Sequence, residues 1–245
     1  MTATQHPELR EQTVLVVGGS AGIGLATARR ARAEGADVIL TARDPERLKA
    51  AASELDAVRS AAFDATDPEA LLAFFDTLAD PIDHVMVTAG APSYGPLLQM
   101  SADAARTALS EHLLQTILVA RGSAGRVRPG GTLVFMGGTG AKRPAVGIGA
   151  VAAVTAALPA LIANLALELA PVRVNLVAAG FVDTPLSAAL LGDDLEARRE
   201  ALRTELPIGR VVGPDDVAQL AVHLMINTAL TGATFDIDGG QQLVR

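Results

Sequence analysis

Residues 17–24, VGGSAGIG, set glycines at 18, 19, 22 and 24 directly after an apolar run, TVLVV at 13–17. Glycine has no Cβ, so its backbone can turn sharply and let a ligand come close. If a helix follows, its first N–H groups and partial positive charge suit a diphosphate. The spacing from 18 to 24 is G-x-x-x-G-x-G, not the G-x-G-x-x-G of many dinucleotide sites. A plain glycine turn has the same composition. Gly18, Gly19, Ser20, Gly22, Ile23 and Gly24 are the candidate phosphate-side contacts. Farther on, Ala42 stands where an NAD site carries an acid, and Arg43 lies 19 residues beyond Gly24. An arginine there suits a 2′-phosphate. NADP(H) is therefore expected over NAD(H). Asp44 keeps the alternative open if its carboxylate turns inward.

Residues able to move a proton are scarce. Tyr94 is the only tyrosine, and it sits in TAGAPSYGPL after an apolar run that ends near 88. The carboxyl ends of strands in an open α/β sheet are where ligands bind. His112, in SEHLLQT, has a ring pKa suited to acid–base work. The plainer readings are loop packing for Tyr94 and a satisfied buried ring for His112. Lys142 and Thr139, in FMGGTGAKRP, could offer a charge and a hydroxyl; a solvated loop lysine and a threonine pointing elsewhere are the alternatives. His6, His84 and His223 have no companions at ligand spacing, so no metal is expected.

These residues need a scaffold, and the chain supplies one. Short apolar runs at 13–17, 37–41, 58–63, 84–88, 131–136, 172–177 and 234–237 alternate with helical segments. Such alternation predicts a parallel sheet of seven strands covered on both faces. Asp67 before Pro68 reads as a helix N-cap. No repeat or linker divides the chain, so one α/β domain of Rossmann-type, doubly wound, three-layer form is expected over 1–245. Residues 183–213 are the expected exception, a mobile helical flap.

Bulk composition narrows the partners. Half the residues are hydrophobic but only 3% aromatic, net charge is -7, and cysteine is absent. Nucleic acid is not an expected partner, and no disulfide or thiolate metal site can form. The first residues, MTATQHPELR, lack an apolar signal core, so a cytoplasmic protein is expected. PAVGIGAVAAVTAALPALIANLAL (144–167) has no charge and the length of a membrane span. Its alanines, Thr155, Asn164 and two prolines instead predict a helix buried on most of its circumference, against the sheet and a second subunit. Pro159 is expected to bend it by leaving the Thr155 carbonyl free.

Five pieces of the chain carry a resemblance: VGGSAGIG at 17–24, FDATD at 63–67, TAG at 88–90, LALELAPVRVNLVAAGFVDT at 165–184 and LTGATFDIDGG at 230–240. Together they resemble the short-chain dehydrogenase/reductase family over nearly the whole length. The resemblance implies that Asp64 accepts the adenine amino group. It places Thr88, Ala89 and Gly90 beside the cofactor ribose, and Thr184 at the nicotinamide carboxamide. It also implies a homodimer or homotetramer through this uncharged helix and the long one before it. An oligomer mixed with an intact relative is the alternative.

The catalytic positions break the pattern together. With Glu168 of LALELA fixing the register, the family's tyrosine falls on Val151, its lysine on Thr155, its serine on Gly138 and its asparagine on His112. Valine and glycine can neither protonate nor polarise a carbonyl. Lost acid–base help costs about 10²- to 10⁴-fold, and a lost polarising hydrogen bond about 10² or more. Three functions follow. The first is an NADP(H)-dependent oxidoreductase acting on an activated C=C, imine or carbonyl of a small molecule, with Tyr94 or His112 as substitute acids. The second is a silent nucleotide-binding sensor or subunit. The third is a non-redox isomerase or lyase.

Overall fold

The computed structural model describes residues 8–244. Seven strands form one parallel sheet: β1 (Thr13–Val17), β2 (Asp37–Ala42), β3 (Arg59–Ala62), β4 (Ile82–Val87), β5 (Val127–Gly138), β6 (Arg173–Ala179) and β7 (Thr234–Ile237). Their order is β3-β2-β1-β4-β5-β6-β7. The order reverses between β1 and β4, and the crevice at their carboxyl ends is where such sheets take ligands.

Side-chain alternation divides the core in two. Val14, Val16, Val38 and Leu40 face α1 (Gly22–Ala33), α2 (Pro45–Glu54) and α8 (Pro214–Ile226). Leu15, Val17, Ile39 and Val85 face α3 (Pro68–Asp76), α4 (Ala102–Ser123) and α5 (Gly149–Glu168). Both faces of each central strand are thus buried, which explains why these strands read as continuous apolar runs. Asp67 caps α3 as the sequence predicts, accepting from the N–H groups of Glu69 and Ala70.

Two expectations need correction. β5 starts at Val127, not 131; the added residues include Pro129 and Gly130, and the pairing with β4 shifts register opposite Ile82 and His84. The uncharged helix α5 is not buried around most of its circumference in one protomer. Ala150, Val154, Leu158, Ile162 and Leu165 form one buried stripe at helical spacing, while Leu167 on the outer side is 79% exposed. α5 continues through Pro159, which has no N–H for the Thr155 carbonyl. His6 lies outside the described residues.

Between β6 and α8 the chain leaves the sheet. It forms α6 (Pro185–Leu191) and α7 (Leu195–Glu205) before rejoining at Val212. The expected flap is helical.

At the other end of the sheet, His84 is buried. Its Nε2 lies 2.6 Å from Gln12 Oε1, and Nδ1 has no partner among the described residues. Desolvation pushes its pKa down to about 4. An unfolded chain takes up that proton near pH 6.5, so protonation favours unfolding. Stability is complete above about pH 6.5 and falls as pH drops toward about 4, by about 3 kcal/mol at most. Urea denaturation of wild type and His84→Gln, at about pH 7.5 and about pH 4.5, checks this. The wild type should lose about 2–3 kcal/mol more than the variant across that interval. Equal losses would remove His84 as the cause.

Candidate dinucleotide site

The turn after β1 is closed against its surroundings. Gly18 has φ +99°, and a Cβ there would lie 2.7 Å from Ala89 N and from Thr88 Oγ1. The Gly18 and Gly19 N–H groups both donate to Thr41 O at 2.9 Å. Thr88 Oγ1 donates to Gly18 O at 3.0 Å, which ties the segment after β4 to the turn. A Cβ on Gly24 would lie 2.1 Å from Gly18 O, so only glycine lets α1 pack this close. Ala21, at the N-cap of α1, offers no side-chain cap, and no acid lies in the first turn. The positive end of a twelve-residue helix therefore faces the turn without internal compensation, and a diphosphate fits it.

At the end of β2 the Asp44 carboxylate is engaged within its own helix. Asp44 accepts the Arg47 N–H at 3.0 Å and Arg47 Nε at 2.7 Å. It caps α2. Arg43 is 72% exposed and lies 3.9 Å from Asp64. The Thr66 N–H donates to Asp64, and this bond, with the Thr66 hydroxyl and the Arg43 charge, holds the carboxyl below the ordinary carboxylate range. Asp64 is therefore ionised at neutral pH, an acceptor only. Replacing Arg43 with alanine should weaken NADPH binding about 10- to 100-fold, the value of a hydrogen bond to a charged group. NADH binding should hold within about 3-fold by the same arithmetic. Fluorescence titration with both nucleotides checks it. Equal losses would show that Arg43 reads no 2′-phosphate.

At the carboxyl end of β5, Gly138 lies against α5. The Cβ position of Gly138 lies 3.4 Å from Thr155 Cγ2 and 3.5 Å from Ala179 O. Thr155 Oγ1 donates to Val151 O at 2.9 Å and accepts the Ala141 N–H at 3.1 Å. Its hydroxyl thus ties the 140–142 turn to α5. A cavity of about 200 Å³, bordered by Gly138, Thr155, Pro159 and Leu176, lies beside it.

The substitute acids are placed unequally. His112 Nε2 lies 3.0 Å from Met136 O, so that nitrogen carries the hydrogen and donates it. Burial pushes the ring pKa below its ordinary value, and His112 is a neutral strut between α4 and β5. Lys142 pairs with Asp236, so its charge is spent at β7. Thr139 is buried, with its N–H on Ala179 O. Tyr94 is 54% exposed on the segment whose Gly95 N–H donates to Gly147 O at 2.7 Å. That bond brings the loops after β4 and β5 together. Partial burial pushes the Tyr94 phenol pKa up. The phenol is protonated at neutral pH, and burial makes it a weaker acid, not a stronger one.

Thr184 sits across the turn from the glycines: a Cβ on Gly22 would lie 3.4 Å from Thr184 Cβ. Ala89 and Gly90 follow β4 on the same side. The glycine turn, Thr88–Gly90 and Thr184 are therefore together, with Arg43 and Asp64 at the β2 end. One group escaped the sequence reading. Arg199 on α7 grips Asp183 with two hydrogen bonds, Nε to Oδ2 at 2.9 Å and Nη2 to Oδ1 at 2.7 Å. Sixteen residues separate them, and no spacing rule points from one to the other.

Comparisons with known proteins bear on the family and the fold. A family model described as enoyl-(acyl carrier protein) reductase matches residues 17–242. The short-chain dehydrogenase/reductase ATR9 of Stachybotrys chlorohalonatus is 30% identical, covering 96% of this chain and 98% of its own. An NADP-dependent (R)-specific alcohol dehydrogenase of Lentilactobacillus kefiri is 30% identical over 95% of this chain and 97% of its own. Among solved structures, the MalC reductase/Diels-Alderase of Malbranchea aurantiaca superposes with a TM-score of 0.89 at 27% identity, covering 97% and 99% of the two chains.

Proposed function

Because the chain belongs to the short-chain dehydrogenase/reductase family, we propose that it is an NADP(H)-dependent reductase of a neutral, apolar small molecule bearing an activated C=C or imine. NADP(H) at the glycine turn supplies the hydride. Gly18–Gly24 and the amino end of α1 bind the diphosphate, Arg43 the 2′-phosphate, Asp64 the adenine amino group, and Thr184 the carboxamide. The observation that carries the choice of substrate is the trio Gly138, Val151 and Thr155. None can protonate an oxygen, since the one hydroxyl among them already donates to Val151 O. A simple ketone would need that help; a conjugated C=C or an imine accepts hydride with less of it. Tyr94 is the remaining proton source from the protein, and water the other.

Apolar side chains around the crevice favour a neutral substrate. Leu98 is 102% and Val146 91% exposed, and Tyr94, Leu97, Leu186 and Leu190 are each exposed too. The segments 88–101 and 184–192 hold no charged residue. Turnover of NADPH on matched panels of enones, imines and ketones tests the reading. Enones or imines should react and ketones should not; a preference for ketones would overturn it. Loss of turnover in Tyr94→Phe would support Tyr94 as donor, and full activity would leave water.

A second reading is a non-redox rearrangement in the same pocket. The lack of acid–base groups at 138, 151 and 155 favours it, as does the likeness to a reductase/Diels-Alderase. Substrate conversion without NADPH oxidation would mark it. The protein should also be a homodimer or homotetramer, since Leu109, Leu114 and Ile117 on α4 and Leu167 on α5 are exposed apolar side chains. Light scattering showing a monomer at micromolar concentration would contradict this.

A further inference from the structure

The excursion from β6 to α8 buries only Val182, Leu202, Leu206 and Val212. α6 has no buried residue, and α7 has only Leu202. Polar ties supplement this packing. The Asp183 N–H donates to Val212 O at 2.9 Å, and Val182 bridges Val212. Thr184 and Ser187 cap α6 reciprocally. None of these three ties reaches α7. The Arg199–Asp183 fork does, and its side chains are only 29% and 32% exposed. A two-point guanidinium–carboxylate pair fixes direction as well as distance. It also holds more than an exposed ion pair does.

Asp183 directly precedes Thr184, which faces the glycine turn at Gly22. We propose that Arg199 is a positioning residue: by gripping Asp183 it closes α7 over the crevice, holds Thr184 against the turn, and sets how fast bound NADP(H) leaves. The proposal rests on the dinucleotide reading above. Nothing in it requires Arg199 to touch the nucleotide. Arg199 Nη1 also binds Glu196 at 3.1 Å within α7. That contact lies inside the helix and cannot hold the helix to the site.

The test compares wild type with Arg199→Gln, Arg199→Lys and Asp183→Asn by stopped-flow NADPH fluorescence. NADPH release should quicken about 3- to 30-fold in Arg199→Gln and Asp183→Asn, the range for losing a half-buried forked pair. Arg199→Lys, which keeps the charge but loses the fork, should fall between them and wild type. Association rates should change less than release rates, as is usual when contacts rather than encounter are altered. Limited proteolysis without nucleotide should cut 185–206 faster in the variants, independently of NADPH binding. Melting temperature is followed alongside, and Asp183→Asn repeats the test if Arg199→Gln folds poorly. Unchanged release in variants of a wild type that binds NADPH would overturn the latch alone. A wild type that binds no NADPH would overturn both the latch and the dinucleotide reading.

Discussion

A single methyl group at position 24 should weaken dinucleotide binding at least about 100-fold. The Cβ of alanine there would lie 2.1 Å from Gly18 O and 2.6 Å from Thr88 Oγ1. Neither neighbour can yield independently. Gly18 is fixed by its N–H on Thr41 O, and the Thr88 hydroxyl donates to Gly18 O. α1 must therefore withdraw from the turn, which carries its amino end away from the diphosphate position. The NADPH dissociation constant of Gly24→Ala should rise at least about 100-fold, or about 3 kcal/mol. Overpacking of this kind also costs about 1–3 kcal/mol of stability, so the melting curve is measured with the titration. Gly138→Ala is the control. Its Cβ would meet nothing closer than 3.4 Å, and NADPH affinity should stay within about 3-fold. If Gly24→Ala binds as well as the control, the turn is not the phosphate site.

The opposite experiment installs the groups that the proposed alignment finds missing. Gly138→Ser, Val151→Tyr and Thr155→Lys together should create ketone reductase activity. A side chain at 138 meets only ordinary contacts, one of them the Thr155 methyl that the lysine replaces. The cavity of about 200 Å³ beside Thr155 gives the longer chain room. A tyrosine beside a lysine becomes a stronger acid because the ammonium stabilises the phenolate. The serine hydroxyl polarises the carbonyl. The gain in ketone turnover should be about 10²- to 10⁴-fold over wild type, the usual worth of a placed acid. A matched triple variant with Val151→Phe in place of Val151→Tyr should show little of it. No gain from a triple variant that folds and binds NADPH would mean that more than these three positions has diverged.

The sheet was legible because its physics is local. Val14 to Val17 must be buried on both faces, and only a parallel strand between helices does that. The glycine turn was legible because a missing Cβ at 18 and 24 leaves few structural alternatives. Asp44 was not. Whether its carboxylate caps α2 or turns inward depends on Arg47 three residues on, and both outcomes suit the same letters. His112 gave a similar ambiguity, which the Met136 carbonyl decides. The start of β5 was misplaced because Pro129 and Gly130 look like a turn, while the neighbouring strand β4 draws them into irregular pairing. The Arg199–Asp183 fork was invisible for a plainer reason: a contact between a helix and a strand end depends on how the excursion folds back, which no periodicity encodes. The proposal that Gly138, Val151 and Thr155 stand at the family's catalytic positions rests on the register that Glu168 sets.

Calorimetric titration of the purified protein with NADPH and NADH tests the central claim most directly. NADPH should bind with a dissociation constant below about 100 μM, or about −5.5 kcal/mol, and more tightly than NADH. If neither nucleotide binds at millimolar concentration, the turn after β1 holds no diphosphate and the account fails.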